Sequence, residues 1–253
     1  MTMFKHLLNI ISVIILVSNP IKAQDNVIIL SEDLKIIKIS ENVFVHRSYY
    51  DLQNAKHFPA NGLILTHNNK AYIIDTPWTE NETKILIEWL EDSLNMEIEG
   101  VIVTHWHIDC MGGLNEINKH QIISYANQIT AEIAKSKNLP VPQYSFKDSL
   151  TIQKDDLTIL CKYFGAGHTI DNIVVWIPNE RILFGGCLVK ALRWKGLGYT
   201  GDADIAQWPI TLQKVLQAFP ECQIIIPGHG DYGDISLIHH TLDLLRIHKN
   251  NSK

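Results

Sequence analysis

The stretch THWHIDCMGG, residues 104–113, decides how the chain is interpreted. It continues an apolar, β-type run at residues 100–104, and two glycines close it. Alternate residues of an extended chain point to the same side, so His105 and His107 can bind one metal ion together. Asp109 lies where the chain turns toward the glycines, so its carboxylate can point to a different position. The stretch therefore predicts a metal site at the end of a strand.

The rest of the chain alternates between strand-type and helix-type patterns. Strands are predicted at residues 34–40, 42–49, 62–66, 71–75, 100–104, 121–126, 158–164, 172–177, 181–185 and 223–227, and helices at residues 80–94, 203–219 and 235–248 and in a segment that ends at residue 137. Residues 138–144 contain two prolines and are predicted to be a loop. Strands followed by helices in each half of the chain predict an α/β fold with two packed sheets and helices outside.

Three more residues that can bind a metal follow predicted strands, each beside glycine. They are His168 in GAGH, Cys187 in GGC and His229 in GHG. Glycine lets the backbone turn sharply where a site must be approached closely. If these strand ends share one sheet edge, their side chains converge with those of residues 104–113 in one cleft.

The donor types indicate zinc. Three imidazoles suit a catalytic zinc with an open fourth position, and a thiolate selects against hard ions such as magnesium. The first ion is assigned to His105, His107 and His168, and the second to Asp109, Cys187 and His229. The predicted cofactor is therefore two Zn²⁺ ions per chain.

Composition excludes some classes of function. The formal net charge is −5 and no basic run is present, which argues against nucleic-acid binding. The four cysteines are Cys110, Cys161, Cys187 and Cys222. A chain of this length can bury a sufficient core without disulfides, so we expect none.

The N-terminus is typical of an export signal. Residues 1–23 combine a short polar start, the apolar run 7–17 and a small residue at the expected cleavage point. The apolar run is too short to span a bilayer comfortably; a buried N-terminal helix is the alternative. We therefore predict a signal peptide at 1–23, a single domain at 24–253, and a periplasmic monomer. No lipid-anchor cysteine follows the signal, so no membrane anchor is expected.

Four segments together resemble the metallo-β-lactamases of class B. They are THWHIDCMGGL, GAGHTIDNIVVW, LFGGCLVK and PGHG, and the earlier NGLIL and IIDTPW extend the match. The chain is similar to the broad-spectrum di-zinc subclass with an Asp-Cys-His second site. The resemblance implies a four-layer αββα sandwich with its site along one sheet edge. It also implies a secreted enzyme that opens the β-lactam ring of penicillins, cephalosporins and carbapenems with a metal-bound hydroxide and so confers antibiotic resistance.

The same resemblance implies roles for three residues. Asp109 would orient the hydroxide and deliver a proton to the leaving nitrogen. Lys190, three residues after Cys187, would pair with the carboxylate that most β-lactams carry. Tyr199 stands where the family has an asparagine that faces the substrate; its hydroxyl or a backbone N–H would replace that contact, or the contact is missing. Residues 48–57 precede NGLIL, where the family has a mobile flap, and are expected to give apolar contacts.

Cys110 separates this chain from other enzymes of the fold. Several relatives that act on lactones, thioesters or phosphodiesters have a histidine ligand at that position and a bridging aspartate in place of Cys187. We interpret Cys110 as a residue beside the site rather than a ligand. A different metallohydrolase of the same fold and a non-catalytic periplasmic zinc-binding protein are the alternative functions. Asp75 is expected to support the site, and Trp78 and Trp176 to pack in the core.

Overall fold

The computed structural model describes residues 26–251, in which two β-sheets lie face to face between outer helices. One sheet has eight strands in the order β1 to β8, and the other has five in the order β13-β12-β11-β10-β9. The strands are β1 (Val27–Ser31), β2 (Leu34–Lys38), β3 (Val43–Leu52), β4 (Ala55–His67), β5 (Lys70–Ile74), β6 (Glu97–Val103), β7 (Ser124–Asn127), β8 (Tyr144–Phe146), β9 (Ser149–Lys154), β10 (Leu157–Tyr163), β11 (Ile173–Ile177), β12 (Ile182–Gly186) and β13 (Ile224–Pro227).

Six α-helices complete the described chain. They are α1 (Glu80–Glu88), α2 (Ile108–Met111), α3 (Leu114–Lys119), α4 (Gln128–Ser136), α5 (Trp208–Ala218) and α6 (Ser236–Asn251). A π-helical turn at Trp89–Ser93 extends α1, and a 3₁₀ turn at Pro178–Glu180 joins β11 to β12.

Three apolar layers hold this arrangement together. The middle layer fills the space between the sheets and includes Val45 of β3, Ile159 of β10 and Phe184 of β12. A second layer lies between the larger sheet and α1, α3 and α4, and a third between the smaller sheet and α5 and α6. Burying one leucine- or isoleucine-sized side chain contributes about 1.5–3 kcal/mol to the free energy of unfolding. The predicted four-layer αββα sandwich is confirmed.

Several predicted elements differ from the structure. Strands β1, β8 and β9 and the short helix α2 were not predicted, because they are brief and their apolar residues follow no long period. The predicted loop 138–144 ends in β8. The helix predicted from residue 203 begins instead at Trp208, since Asp204 accepts backbone N–H groups from Ala206 and Gln207 in a turn just before Pro209.

The strands predicted at 42–49 and 62–66 are parts of one long hairpin. Strands β3 and β4 extend to Leu52 and Ala55, with partner residues running from Val43↔Leu65 to Leu52↔Ala55. The flap expected at residues 48–57 is therefore the tip of this hairpin. The signal peptide predicted at 1–23 lies outside the described residues. Among residues 26–251, no helix combines the length and the apolar character needed to cross a membrane.

Candidate metal centre

One edge of the sandwich collects all six metal-ligand candidates. His105 follows β6, and Asp109 lies in α2 just beyond it. From the smaller sheet, His168 lies in the β10–β11 loop, Cys187 directly follows β12 and His229 follows β13. Gly228 is needed beside them, because a Cβ at this position would overlap the Cys187 sulfur. The structure thus brings ligand candidates from both sheets to one place.

The first cluster consists of His105, His107 and His168. Their ligand nitrogens all lie within 4.8 Å of one another, and His168 Nε2 is 3.2 Å from His107 Nδ1. His105 Nε2 is buried without a hydrogen-bond partner. A buried polar atom without a partner is costly, and a metal ion would satisfy this nitrogen. The cluster therefore fits a zinc ion with three imidazole ligands.

The second cluster consists of Asp109, Cys187 and His229. Asp109 Oδ2 lies 3.1 Å from His229 Nε2 and 3.2 Å from Cys187 Sγ. Cys187 Sγ lies 3.3 Å from His229 Nε2. One carboxylate, one thiolate and one imidazole, each in contact with the other two, form a donor set that suits zinc.

Electrostatics in the second cluster favour a thiolate. A hydrogen bond with the Cys110 thiol, together with the positive charge of His229, lowers the pKa of Cys187 well below its ordinary value despite burial. Burial alone would lower the pKa of His229, but the negative charges of Cys187 and Asp109 raise it to about 10. A metal ion must displace such protons in order to bind. Acid should therefore weaken metal binding at this cluster.

A partner holds the second ring nitrogen of three of the histidines. His229 Nδ1 is 2.6 Å from the Pro59 carbonyl oxygen, which can only accept, so Nε2 is the nitrogen that gains a lone pair when the ring loses a proton to a metal ion. His107 Nε2 is 3.0 Å from Asp202 Oδ2, which leaves Nδ1 free for the first cluster. His105 Nδ1 is 3.2 Å from Cys110 Sγ. Such partners fix the orientation and basicity of metal-binding imidazoles.

Sequence reasoning did not identify Asp202 as part of the site. It lies in the segment GDAD after Tyr199, and its distance of 95 residues from His107 gives no local signal. Asp202 also acts on the Tyr199 hydroxyl and raises the pKa of that tyrosine. Asp202 therefore links the first cluster to the wall of the cleft.

Asp75 and Cys110 lie behind the first cluster. Asp75 is fully buried and accepts hydrogen bonds from the Thr104 N–H and hydroxyl, both at 2.7 Å. Burial raises the pKa of Asp75 to about 7, although His105 and Thr104 lower it. Cys110 is 2% exposed, and burial raises the pKa of its thiol well above the ordinary value. Both residues thus support the chain segment that carries His105.

A cleft of about 650 Å³ opens over the two clusters. This volume lies in the range usual for small-molecule sites. Its wall is mainly apolar: Leu52, Phe58, Trp78, Trp106, Ile108, Met111, Leu139 and Pro140.

Trp176 packs in the core as predicted. Trp78 is buried as predicted, and its ring also forms cleft wall between Tyr50 and His229.

Lys190 and Tyr199 both line the cleft but differ in burial. Lys190 is 7% exposed, and burial lowers the pKa of its ammonium. Its Nζ lies over the Trp208 ring at 5.4 Å, and no carboxylate of the described residues forms an ion pair with it. Tyr199 is 63% exposed, with its ring 5.8 Å from the His107 ring.

Comparisons with known proteins agree with this architecture. Residues 56–229 match the family model described as the metallo-β-lactamase superfamily. The chain is 43% identical over 216 residues to a metallo-β-lactamase type 2 of Bacteroides fragilis. The aligned region covers 85% of this chain and 87% of that protein.

Solved structures give the same result. A crystal structure of the DIM-1 metallo-β-lactamase exposed to ceftazidime superposes with a TM-score of 0.82 and 40% identity, over 85% of this chain and 98% of that one. The mono-zinc form of the FIM-1 enzyme from Pseudomonas aeruginosa gives a TM-score of 0.80 and 32% identity, over 87% and 99% of the two chains. With its fold, its converging ligand candidates and these relatives in agreement, the chain belongs to the metallo-β-lactamase superfamily.

Proposed function

We propose that this protein is a zinc-dependent β-lactamase that opens the β-lactam ring of penicillins, cephalosporins and carbapenems. The observation that carries the proposal is the pair of adjoining donor clusters beneath a cleft that also holds a buried, unpaired lysine. Metallo-β-lactamases at up to 43% identity over most of the chain support it. A bacterium that exports such an enzyme would tolerate these antibiotics.

Two zinc ions per chain are proposed, in keeping with the two donor sets. His105, His107 and His168 would hold the first, and Asp109, Cys187 and His229 the second. Zinc supplies Lewis-acid chemistry here, since it polarises a carbonyl oxygen and lowers the pKa of bound water from 15.7 to about 7. The orphaned Nε2 of His105 and the depressed pKa of Cys187 both favour this assignment.

Asp109 is proposed as the catalytic carboxylate. It is 7% exposed, lies on the floor of the cleft and contacts both Cys187 and His229. A carboxylate held in this way can orient the attacking water and carry a proton to the amide nitrogen as the C–N bond breaks. Correct placement of such groups supplies a large part of the rate acceleration in enzymes.

Lys190 is proposed to bind the substrate carboxylate. A buried cation is normally paired, but among the described residues no carboxylate forms a direct ion pair with this one. Cys187 and Asp109 attract it only from farther away. The Trp208 ring beneath the ammonium holds the side chain in place. A carboxylate entering from the cleft would supply the direct ion-pair partner. This contact anchors one end of the ligand while the ring lies over the clusters.

Tyr199 is proposed to contact the substrate through its ring. The Asp202 carboxylate acts on its hydroxyl and raises the pKa of this tyrosine, so we assign the substrate contact to the ring. The ring is exposed and lines the same cleft as Ile108 and Leu139. Apolar substituents of a β-lactam would pack against this surface, which favours substrates with bulky side chains.

Export to the periplasm as a monomer is proposed from the sequence of residues 1–23 and the single continuous fold that follows. Cell fractionation with N-terminal sequencing tests export: a mature chain that starts after Ala23 is expected, and an uncleaved cytoplasmic chain would contradict it. Light scattering on the purified protein tests the monomer.

A substrate panel tests the function. The purified protein should hydrolyse a penicillin, a cephalosporin and a carbapenem, followed by loss of ring absorbance, whereas a γ-lactone and a thioester should turn over far more slowly. Cys187→Ser is the matched variant, because it removes one donor of the second cluster with little change in volume. Faster turnover of the lactone or thioester would support a different metallohydrolase, and zinc binding without any turnover would support a sequestering protein.

A further inference from the structure

The turn at residues 228–231 carries His229, and strand β4 of the opposite sheet holds it. The Asn61 backbone N–H donates to the Gly228 carbonyl at 2.8 Å. The Asn61 side-chain amide donates to the carbonyls of Pro227 at 2.8 Å and Gly230 at 2.7 Å. Asn61 therefore fixes the backbone on both sides of His229.

A buried arginine completes this contact. Arg47 lies opposite Asn61 in the β3–β4 register and is 8% exposed. Its Nε donates to Asn61 Oδ1 at 2.8 Å, one Nη donates to the Gly230 carbonyl at 2.6 Å, and the other to Asp231 Oδ1 at 3.0 Å. A guanidinium holds its donors in one rigid plane, so it constrains three acceptors at once.

Arg47 fixes the orientation of the Asn61 side-chain amide. Because Arg47 Nε occupies the Asn61 carbonyl oxygen, the Asn61 NH₂ group must face the turn. Gly230 has φ of +92°, a conformation that favours glycine, so the turn is tightly defined there. The His229 ring is then set by its Nδ1 contact with the Pro59 carbonyl at 2.6 Å.

We propose that Arg47 is a positioning residue that sets the metal affinity of the second cluster. It acts through Asn61 and Gly230 on the placement of His229 against Asp109 and Cys187. The inference rests on the proposed function, because it takes these three residues as metal ligands. Loss of the guanidinium would let the turn move and would weaken binding at this cluster while leaving His105, His107 and His168 in place.

Cobalt titration of the metal-free protein tests this. A thiolate-to-cobalt charge-transfer band reports binding at Cys187, and the weaker ligand-field bands report both clusters. Arg47→Met keeps the apolar stem but removes all three hydrogen bonds, and we expect the affinity at the thiolate band to fall about 10- to 100-fold. Arg47→Lys, which can satisfy fewer acceptors, should give a smaller loss. Arg246→Met, which removes an exposed arginine paired with Asp243 on α6, is the matched control and should titrate like the wild type.

Two results would overturn the inference. Arg47→Met could bind cobalt at the thiolate band as tightly as the wild type, or it could lose affinity equally at both clusters, as a general structural defect would. If Arg47→Met does not fold, the same comparison is made with Arg47→Lys. Absence of a thiolate band in the wild type itself would instead overturn the metal assignment on which the proposed function depends.

Discussion

At the scale of single residues, the unpaired ammonium of Lys190 is the clearest sign of a ligand. Lysine is seldom this buried without a carboxylate partner, and Lys190 lines the cleft. The resemblance of the stretch GGCLVK to the family made this residue a candidate. Sequence could not show that the charge is left unpaired, because that depends on which carboxylates the fold brings close.

Replacement of Lys190 by alanine should weaken substrate binding. A charge-assisted hydrogen bond contributes about 1.5–3 kcal/mol, so kcat/KM should fall about 10- to 100-fold on carboxylate-bearing β-lactams, mainly through KM. Steady-state kinetics measure this. Lys84→Ala on the exposed face of α1 is the control. A Lys190→Ala enzyme with unchanged kcat/KM on these substrates would rule out the role.

Asp202 gives a second prediction at this scale. Its contact with His107 Nε2 at 3.0 Å holds the ring so that Nδ1 faces the first cluster. Asp202→Ala should therefore weaken zinc at the first cluster by about 10- to 100-fold. Competition with a chelating dye measures the affinity, and Asp243→Ala on the surface of α6 is the control. Equal zinc affinity in wild type and Asp202→Ala would show that the contact has no effect on the metal.

At the scale of elements, strand ends position the site, and this explains what sequence could predict. Strands such as β6, β11 and β13 were predicted because they are short apolar runs. A ligand candidate follows β6, and a ligand candidate beside glycine follows β13. Arg47 and Asn61 were missed. Each is an ordinary polar residue on a strand, and its partner lies more than 160 residues away. The hydrogen bonds between the β3–β4 hairpin and the turn that carries His229 join distant parts of the chain. They exist only in the folded protein, so no local sequence pattern indicates them.

Strand β3 also carries a buried histidine whose ionisation should affect stability. His46 is 1% exposed, and a Cβ on Gly62 would overlap its ring, so these two positions are matched. Burial lowers the pKa of His46 from 6.5 to about 4. The unfolded chain therefore binds this proton more readily than the folded one. The contribution of the neutral His46 side chain to the free energy of unfolding is complete above pH 6.5. It is lost as the pH falls toward 4.

We expect this histidine to account for about 3 kcal/mol of the loss of unfolding free energy between pH 7 and pH 4. Urea unfolding of the zinc-free protein at both pH values measures the loss, and His46→Gln removes the titrating group. The wild type should lose about 3 kcal/mol more than the variant. Equal losses would mean that His46 is not kept neutral by the fold.

At the scale of the whole molecule, the site joins the two sheets. His105, His107 and Asp109 follow β6 of the larger sheet, whereas His168, Cys187 and His229 come from segments of the smaller one. The αββα sandwich could be predicted from the resemblance of four motifs, since their order along the chain is that of the strand ends. Which atoms face each ion, and which residues stand behind them, required the folded arrangement.

Hydrolysis of a carbapenem by the purified protein is the most direct test of the account. Loss of ring absorbance would be followed for the protein as purified, after chelation and removal of the chelator, and after zinc is restored. The account predicts turnover that disappears on chelation and returns with zinc. Turnover that survives complete removal of metal, or no turnover with zinc bound at both clusters, would contradict it.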